Sequence, residues 1–438
     1  MKRDLYKKLL QWKLSTDRQP LLLQGARQVG KTYLLKAFGN QEFKNICYIN
    51  FEEMPECKIF FDRDLKPARI LKDLTIYFET KLDTETLIIF DEIQECPNAL
   101  TSLKYFCEDA PEYFVAAAGS LLGVKLSKAR GFPVGKVHFC HLYPLSFFEF
   151  LDAVDRPMLR AMLEEISICD PIAEPHHEQL IQLLKLYFII GGMPKPVFRY
   201  VETEDLNFVR ETQEDILKAY VHDFVKHAPS ALVMKITQIW NSIPVHLGKE
   251  NRKFIFSAIK KSARARDYEE ALQWLLDAEL IYKVRAIITP KIPLENYNDH
   301  ESFKIYLFDV GLLTAMCRLP PRVIVGGNEL FTEFKGSLTE NYVAQSLKAA
   351  TGSPLYYWSS DRDAEVDFVL EYDGQLFPLE VKSGTSTKAK SLLVYQEKYR
   401  PPFITRTSLM NLNQNGKVRN YPLYLISSFP QIGGPLKV

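Results

Sequence analysis

No two of the seven cysteines stand as a C-x-x-C pair; they are scattered singly along 438 residues. That excludes a disulfide framework and a zinc site built on paired cysteines, and it points to a reducing compartment. No uninterrupted apolar stretch is long enough to span a bilayer. Lys2, Arg3, Lys7 and Lys8 precede only a short amphipathic run, Leu5 to Leu14. It lacks the continuous apolar core of a signal peptide and reads as a surface helix. An excess of one charge sign is also missing, because 55 Lys+Arg against 54 Asp+Glu leave a formal net charge of +1. Any nucleic-acid surface must then be a local patch. What remains is an ordinary globular composition, 47% hydrophobic and 25% charged. The length fits about three domains. The expectation is a cytoplasmic multidomain protein without a membrane partner.

What the chain does contain is concentrated first in Leu21 to Thr32, LLLQGARQVGKT. Gly25, Gly30, Lys31 and Thr32 have the spacing G-x-x-x-x-G-K-T. Glycines let the backbone curl so that its N–H groups point at phosphate oxygens. The loop Gly25, Ala26, Arg27, Gln28, Val29 and Gly30 is therefore the candidate cradle for ATP, with Lys31, Thr32 and Tyr33 opening the next helix. Lys31 reaches the outer phosphates, Thr32 offers its hydroxyl to Mg²⁺, and the helix turns its positive end to the anion. A chance Gly/Lys turn is set aside because a buried-strand run precedes the loop and a helix-compatible run, YLLKAF, follows it.

Ile46–Phe51 reads as a strand, Lys66–Leu82 as a helix and Thr86–Ile93 (TLIIFDEI) as a second buried strand. Asp91 and Glu92 close that strand, at the edge where open α/β sheets bind ligands. Asp91 is the candidate magnesium holder, and Glu92 the candidate base for the attacking water. Tyr113–Ala118 is a third strand. Ser120 after it either touches the γ-phosphate or the attacking water, or is an ordinary turn serine. Arg130 and Lys136, before strand Val137–His141, are candidate positive charges for a transferring phosphate or simple surface charges.

The phosphate loop, LIIFDE, the AAAGS strand end and LYPLSFFEF (Leu142 to Phe150) together resemble the AAA-superfamily ATPases of bacteria and archaea, in a group with an uncharacterised C-terminal region. The resemblance implies ATP binding and hydrolysis. It departs at Lys136, where relatives often carry arginine. Gly191-Gly192-Met193-Pro194 after the apolar run Leu180–Ile190 is similar to the Gly-x-Pro element in the lid of signal-transduction-type P-loop ATPases, which implies that Pro194 packs on adenine. A plain helix stop is the other account. Relatives also suggest a winged helix within Leu232–Leu319, with Leu280–Thr289 and Phe303–Phe308 as its hairpin. Lys249, Arg252, Lys253, Lys260, Lys261, Arg264 and Arg266 form a basic cluster around Phe254 and Phe256, suited to phosphates of DNA or RNA or to solvent alone. Helix Asp267–Leu280 carries five acidic residues, which disfavours a groove-reading role.

Near the C-terminus, Asp373-Gly374 is a two-residue hairpin signal. With those two as the loop, Val366 faces Val381, Phe368 faces Leu379 and Leu370 faces Phe377, one uniformly apolar side. The other side opposes Asp367 to Glu380 and Glu365 to Lys382. Two facing carboxylates repel unless a cation neutralises them. Helix Phe334–Ala350 places Glu340 on its apolar stripe, where a carboxylate needs a metal or a basic partner. The set resembles the PD-(D/E)xK nuclease core, which implies that Asp367 and Glu380 bind magnesium with help from Glu340, and that Glu380 and Lys382 serve catalysis.

The expected fold is α/β: a P-loop NTPase parallel-sheet domain over 1–150, a helical lid and linker over 151–228, a winged-helix-like domain over 229–325 and a restriction-endonuclease-like α/β domain over 326–438. The expected function is an ATPase whose nucleotide cycle controls a nucleic-acid-associated, nuclease-like tail. Two rivals are an ATP-gated regulatory switch with an inactive nuclease fold and a small-molecule kinase, which the Asp91-Glu92 pair argues against. An oligomer and a monomer are both compatible with the sequence.

Overall fold

The computed structural model describes residues 1–120, 135–166, 171–249, 253–321, 332–360, 364–385 and 389–431. Arg130 and Arg252 lie outside the described residues. The chain divides into two compact units, one of Met1–Tyr143 with Asp277–Glu279, the other of Pro144–Leu276 with Leu280–Val438.

The first unit alternates helices α1 (Leu5–Leu14), α2 (Lys31–Glu42), α3 (Pro67–Tyr77) and α4 (Pro97–Asp109) with strands β1 (Leu21–Gln24), β2 (Asn45–Asn50), β3 (Thr86–Asp91), β4 (Phe114–Ala118) and β5 (His138–His141). The strands form one parallel sheet in the order β2-β3-β4-β1-β5. Every residue of β3 is buried, as a strand covered on both faces must be. Helices α3 and α4 begin with proline at the first turn, where the missing N–H is no loss. The terminal helix α1 buries Leu9 and Trp12, and Trp12 packs edge-on against Phe114. Because β1 lies between β4 and β5, the loops after β1, β3 and β4 share the carboxyl edge of the sheet.

The second unit opens with a run of helices: α5 (Phe147–Ala153), α6 (Pro157–Glu165), α7 (Glu174–Ile190), α8 (Pro194–Thr203), α9 (Leu206–His227), α10 (Ser230–Leu247) and α11 (Ala265–Asp277). Ser146 and Glu149 cap α5 reciprocally. Then come β6 (Ile281–Ile287), β7 (Asn298–Leu307), α12 (Val310–Met316), α13 (Thr332–Thr351), β8 (Leu355–Ser359), β9 (Glu365–Tyr372), β10 (Gln375–Val381), α14 (Lys390–Tyr399), β11 (Ile404–Ser408), β12 (Asn413–Asn415) and β13 (Val418–Pro422). These strands make a single eight-stranded mixed sheet, β12-β13-β11-β10-β9-β8-β6-β7. The β6–β7 hairpin, expected within a separate winged-helix-like domain, thus shares a sheet with the C-terminal strands, and β6 pairs with β8 in parallel. That sheet crosses the boundary expected at 325/326.

The β9–β10 register is the one the Asp373-Gly374 turn dictates: Phe368 opposes Leu379 and Leu370 opposes Phe377. Both turn residues have positive φ, 47° and 67°. The expected apolar side is formed by the two buried pairs Phe368–Leu379 and Leu370–Phe377 but not by Val366, which does not pair with Val381 in the ladder. The β8–β9 register shifts between Tyr356 and Trp358, and a bulge re-aims the strand. Val366 and Val369 then join one core with Trp358 and Leu392, while the ring of Phe368 lies 6.0 Å from that of Tyr306 on β7.

Candidate functional site

The phosphate loop leaves β1 and runs into α2. Its curl uses positive φ at Gly25 (148°), Gln28 (68°) and Gly30 (97°). At Gly25 the requirement is also steric, since a Cβ there would come within 2.3 Å of the Leu142 carbonyl oxygen. Lys31 is buried. Its Nζ donates to the carbonyls of Gly25 and Ala26, each at 2.9 Å, and to Ser120 Oγ at 3.2 Å. Thus Lys31, expected at the phosphates, meets Ser120, for which a turn role was the other account. Burial pushes the Lys31 ammonium down to about 8, because none of its bonded partners is an anion.

Thr32 Oγ1 donates to Asp91 Oδ2 at 2.7 Å, and Tyr48 OH donates to the same oxygen at 2.9 Å. The Glu92 N–H donates to Asp91 Oδ1 at 3.0 Å. A carboxylate fixed this way beside a loop threonine could hold a magnesium ion. Glu92 has φ 47°, a left-handed conformation, and its Oε2 accepts from Gln94 Nε2 at 2.5 Å. Tyr33 is exposed at the first turn of α2, and Arg27 lies 4.0 Å from Glu52. Lys136 makes a surface ion pair with Glu108 at 3.1 Å. That contact suits the surface-charge account.

Two partners of this site were not read from the sequence. Tyr48 sits on β2, and only the β2–β3 register brings it to Asp91. Arg3 is buried, donating to Val29 O at 2.9 Å and to Tyr143 O at 2.5 Å, so the start of the chain ties down the loop. No local motif marks either residue.

Pro194 belongs to the second unit and opens α8. The glycines before it have a packing role. A Cβ on Gly191 would come 2.3 Å from Asp309 Oδ1, and one on Gly192 would come 2.2 Å from the Leu145 carbonyl oxygen. The buried Asp309 carboxylate accepts from the Gly192 and Leu312 N–H groups at 2.6 and 2.9 Å. Burial pushes it up to about 6. The glycine pair is therefore required by close packing, whatever Pro194 contacts.

In the basic cluster, Lys260, Lys261, Arg264 and Arg266 are exposed. Of the two aromatics among them, Phe254 is not free to stack on bases: it is buried, 4.3 Å from the His246 ring and 5.2 Å from the Phe303 ring between centroids, while Phe256 is half-buried.

A second site lies in the C-terminal sheet. Gly336, Glu340, Glu365, Asp367, Glu380, Val381, Lys382 and Ser383 line one recess of about 300 Å³. It brings together Glu340, Asp367, Glu380 and Lys382. Tyr306 OH donates to Glu340 Oε2 at 3.0 Å, so a phenol answers the carboxylate on the apolar stripe. Asp367 Oδ2 accepts from the Val381 N–H at 2.8 Å. Lys382 Nζ lies 2.5 Å from Glu380 Oε1. Glu380 Oε2 is buried without a partner, and burial raises the carboxyl's proton affinity. Glu365 does not pair with Lys382 as the sequence register suggested; it pairs with Lys304 of β7 at 2.5 Å. Lys304 was missed, although a lysine inside the buried run Phe303–Leu307 signals an anion close by. Arg406, opposite Glu380 in the parallel β10–β11 ladder, bonds Asn420 and Met410 instead. Among the described residues no three His, Cys, Asp or Glu side chains converge closely enough to hold a metal ion, and no helix is long and apolar enough to cross a membrane.

A family model described as an AAA domain matches residues 17–151. Two models of domains of unknown function, DUF8612 and DUF4143, match residues 181–323 and 335–426. An uncharacterized protein of Mycobacterium tuberculosis is 23% identical over 383 residues, covering 85% of this chain and 71% of that protein. An uncharacterized protein of Mycobacterium bovis gives the same figures. The solved structure of a Walker-type ATPase from Pyrococcus abyssi covers 72% of this chain and 95% of its own, at 14% identity and a TM-score of 0.45. The segment that matches the AAA domain is the one that holds the phosphate loop, Asp91, Glu92 and Ser120.

Proposed function

We propose that the chain binds and hydrolyses ATP at the phosphate loop, and that its nucleotide cycle controls the carboxylate recess of the second unit, a site directed at nucleic acid. The observation that carries the first half is the 2.7 Å bond from Thr32 to Asp91 beside a buried lysine. The loop N–H groups and the Lys31 ammonium bind the phosphates, which compete for Lys31 with the carbonyls of Gly25 and Ala26. Thr32 and Asp91 would hold Mg²⁺, which when bound neutralises charge on the phosphates. Glu92 orients the attacking water and accepts its proton, and Ser120 keeps Lys31 aimed along the loop. Lys31→Ala is expected to lose ATP binding by about 100-fold or more. Glu92→Gln should retain binding and lose about 10²- to 10⁴-fold in turnover. Equilibrium titration with a labelled ATP analogue and a phosphate-release assay check the two. Wild-type affinity in the first variant would remove the assignment.

For the recess, the orphaned Glu380 Oε2 supports a cation site at Asp367 and Glu380, since a buried carboxylate oxygen without a partner is costly. A divalent cation there would supply a Lewis acid for phosphodiester cleavage. Asp367 and Glu380 would hold it, and Lys382 would hold the phosphate. Among the described residues no three acidic side chains converge on one ion, which supports a second reading, in which the recess binds without cleaving. ATP turnover measured with and without DNA and RNA, together with nuclease assays in Mg²⁺ and Mn²⁺ on wild type and Asp367→Ala, separates the readings. Intact nucleic acid in every metal, with retained stimulation of turnover, selects the binding role.

A further inference from the structure

Four carboxylates line the recess, and the structure treats them unequally. Glu340 is capped by the Tyr306 phenol and Asp367 by a backbone N–H. Glu380 has Lys382 on one oxygen and nothing on the other. Glu365 alone is met by a fully buried ammonium. The Lys304 side chain is 1% exposed, with Nζ 2.5 Å from Glu365 Oε1 and 4.9 Å from the centroid of the Tyr357 ring.

We propose that Lys304 is a covalently attached stand-in for a metal ion, holding the place beside Glu365 and Asp367 that a second cation would take, so that the recess binds one divalent cation, at Asp367 and Glu380. The proposal rests on the cation reading of the recess given above.

Three observations carry it. First, Lys304 brings a charge to the Glu365–Asp367 side: it bonds Glu365 and feels the charge of Asp367. Second, its backbone is fixed in the sheet. Lys304 pairs with Val284 of β6 and bridges to Lys253, so the ammonium reaches Glu365 from a rigid strand. A positive charge placed by a strand cannot be displaced as a bound ion can. Third, the unmet demand for positive charge is at Glu380 and not at Glu365. The orphaned oxygen is Glu380 Oε2, on a residue 6% exposed. A buried ion pair is a weak stabiliser, because desolvation offsets the Coulomb gain. The lysine's placement on the recess is therefore better explained by the charge it gives the site. Lys304 and Tyr306 also lie in the segment matching one domain of unknown function, and the four carboxylates in the segment matching the other. The ion pair between Lys304 and Glu365 therefore joins the two matched segments.

The test is Mn²⁺ uptake by the full chain without nucleotide, read as loss of the free-ion electron paramagnetic resonance signal. Ions that disappear on Asp367→Asn, the carboxylate common to both places, are counted as recess ions. Wild type should bind one. Two recess ions in wild type would overturn the proposal without any Lys304 variant. Lys304→Met should admit a second ion. Glu365→Gln, which leaves the Lys304 charge unopposed next to Asp367, should weaken the single site about tenfold. Lys304→Met with Glu365→Gln should return to one ion within about twofold of wild-type affinity. If Lys304→Met still takes one ion with wild-type affinity, or the double variant is as weak as Glu365→Gln, Glu365 is a ligand or a bystander and the role of Lys304 falls. No recess ion in wild type would instead remove the cation reading itself.

Discussion

Lys31 and Lys304 are both buried lysines, and they differ in what they face. Lys31 bonds two carbonyls and a hydroxyl, while Lys304 bonds a carboxylate. Burial lowers both, yet Lys31 ends near 8, whereas Tyr306, Glu365 and Asp367 outweigh burial at Lys304 and leave it raised. The difference separates a charge held ready from one already spent. Neutral oxygens hold an ammonium in place without cancelling it, so an incoming anion gains the full interaction. A carboxylate cancels it, and what remains is a fixed feature of the wall.

The comparison breaks most clearly if the charge of Lys31 costs nothing before ATP arrives. Lys31→Met is expected to stabilise the nucleotide-free protein, by up to about 3 kcal/mol for a shift from 10.5 to about 8. The sign follows from linkage. Below pH 8 the folded state must carry a buried cation that the unfolded chain carries in water. The penalty is fully present there and is relieved as pH rises from 8 to 10.5. Denaturant melts of wild type and variant at pH 7 and pH 9.5 check it. A destabilised variant would mean that Lys31 is structural.

The same titration sharpens the comparison in binding. ATP needs the charged lysine, so affinity should hold between pH 6 and 7 and fall toward tenfold per unit above pH 8. Binding should take up a proton in that range. Mn²⁺ uptake at the recess should show no such fall between pH 8 and 9, since Lys304 stays charged. Calorimetry in buffers of different ionisation enthalpy reads the proton directly.

These two sites were not equally legible in the sequence. The phosphate loop is eight consecutive residues whose spacing encodes its own geometry, and Asp91 and Glu92 end a strand recognisable by its apolar run. The turn at Asp373-Gly374 likewise set the β9–β10 register from two residues. What escaped was long-range. Lys304 lies 61 residues from Glu365, and Tyr306 lies 34 from Glu340. Nothing local says that β6 will pair with β8 and carry the hairpin into the C-terminal sheet. The bulge that turns Val366 and Val369 into one core defeated strict alternation. In sequence Gly191-Gly192 reads as a helix stop or as part of an adenine-packing element, because the carboxylate they pack against, Asp309, is 117 residues from Gly192.

The smallest expected effect is also the one that decides what Lys304 is for. A lysine that holds the fold together would be costly to lose, about 3–5 kcal/mol when its removal strands a buried charge. Glu365, however, keeps its side chain 30% exposed, so water can take over the carboxylate that Lys304 leaves. Methionine fills most of the same volume among Tyr357 and its neighbours and has no charge to desolvate. Lys304→Met should therefore change unfolding free energy by no more than about 1 kcal/mol, opposite in emphasis to Lys31→Met, where the gain is large and ATP binding is lost. Urea denaturation at pH 7 reads both. A loss of several kcal/mol on Lys304→Met would make the lysine a structural tie between β7 and β9, and the charge of the recess would then be incidental to it.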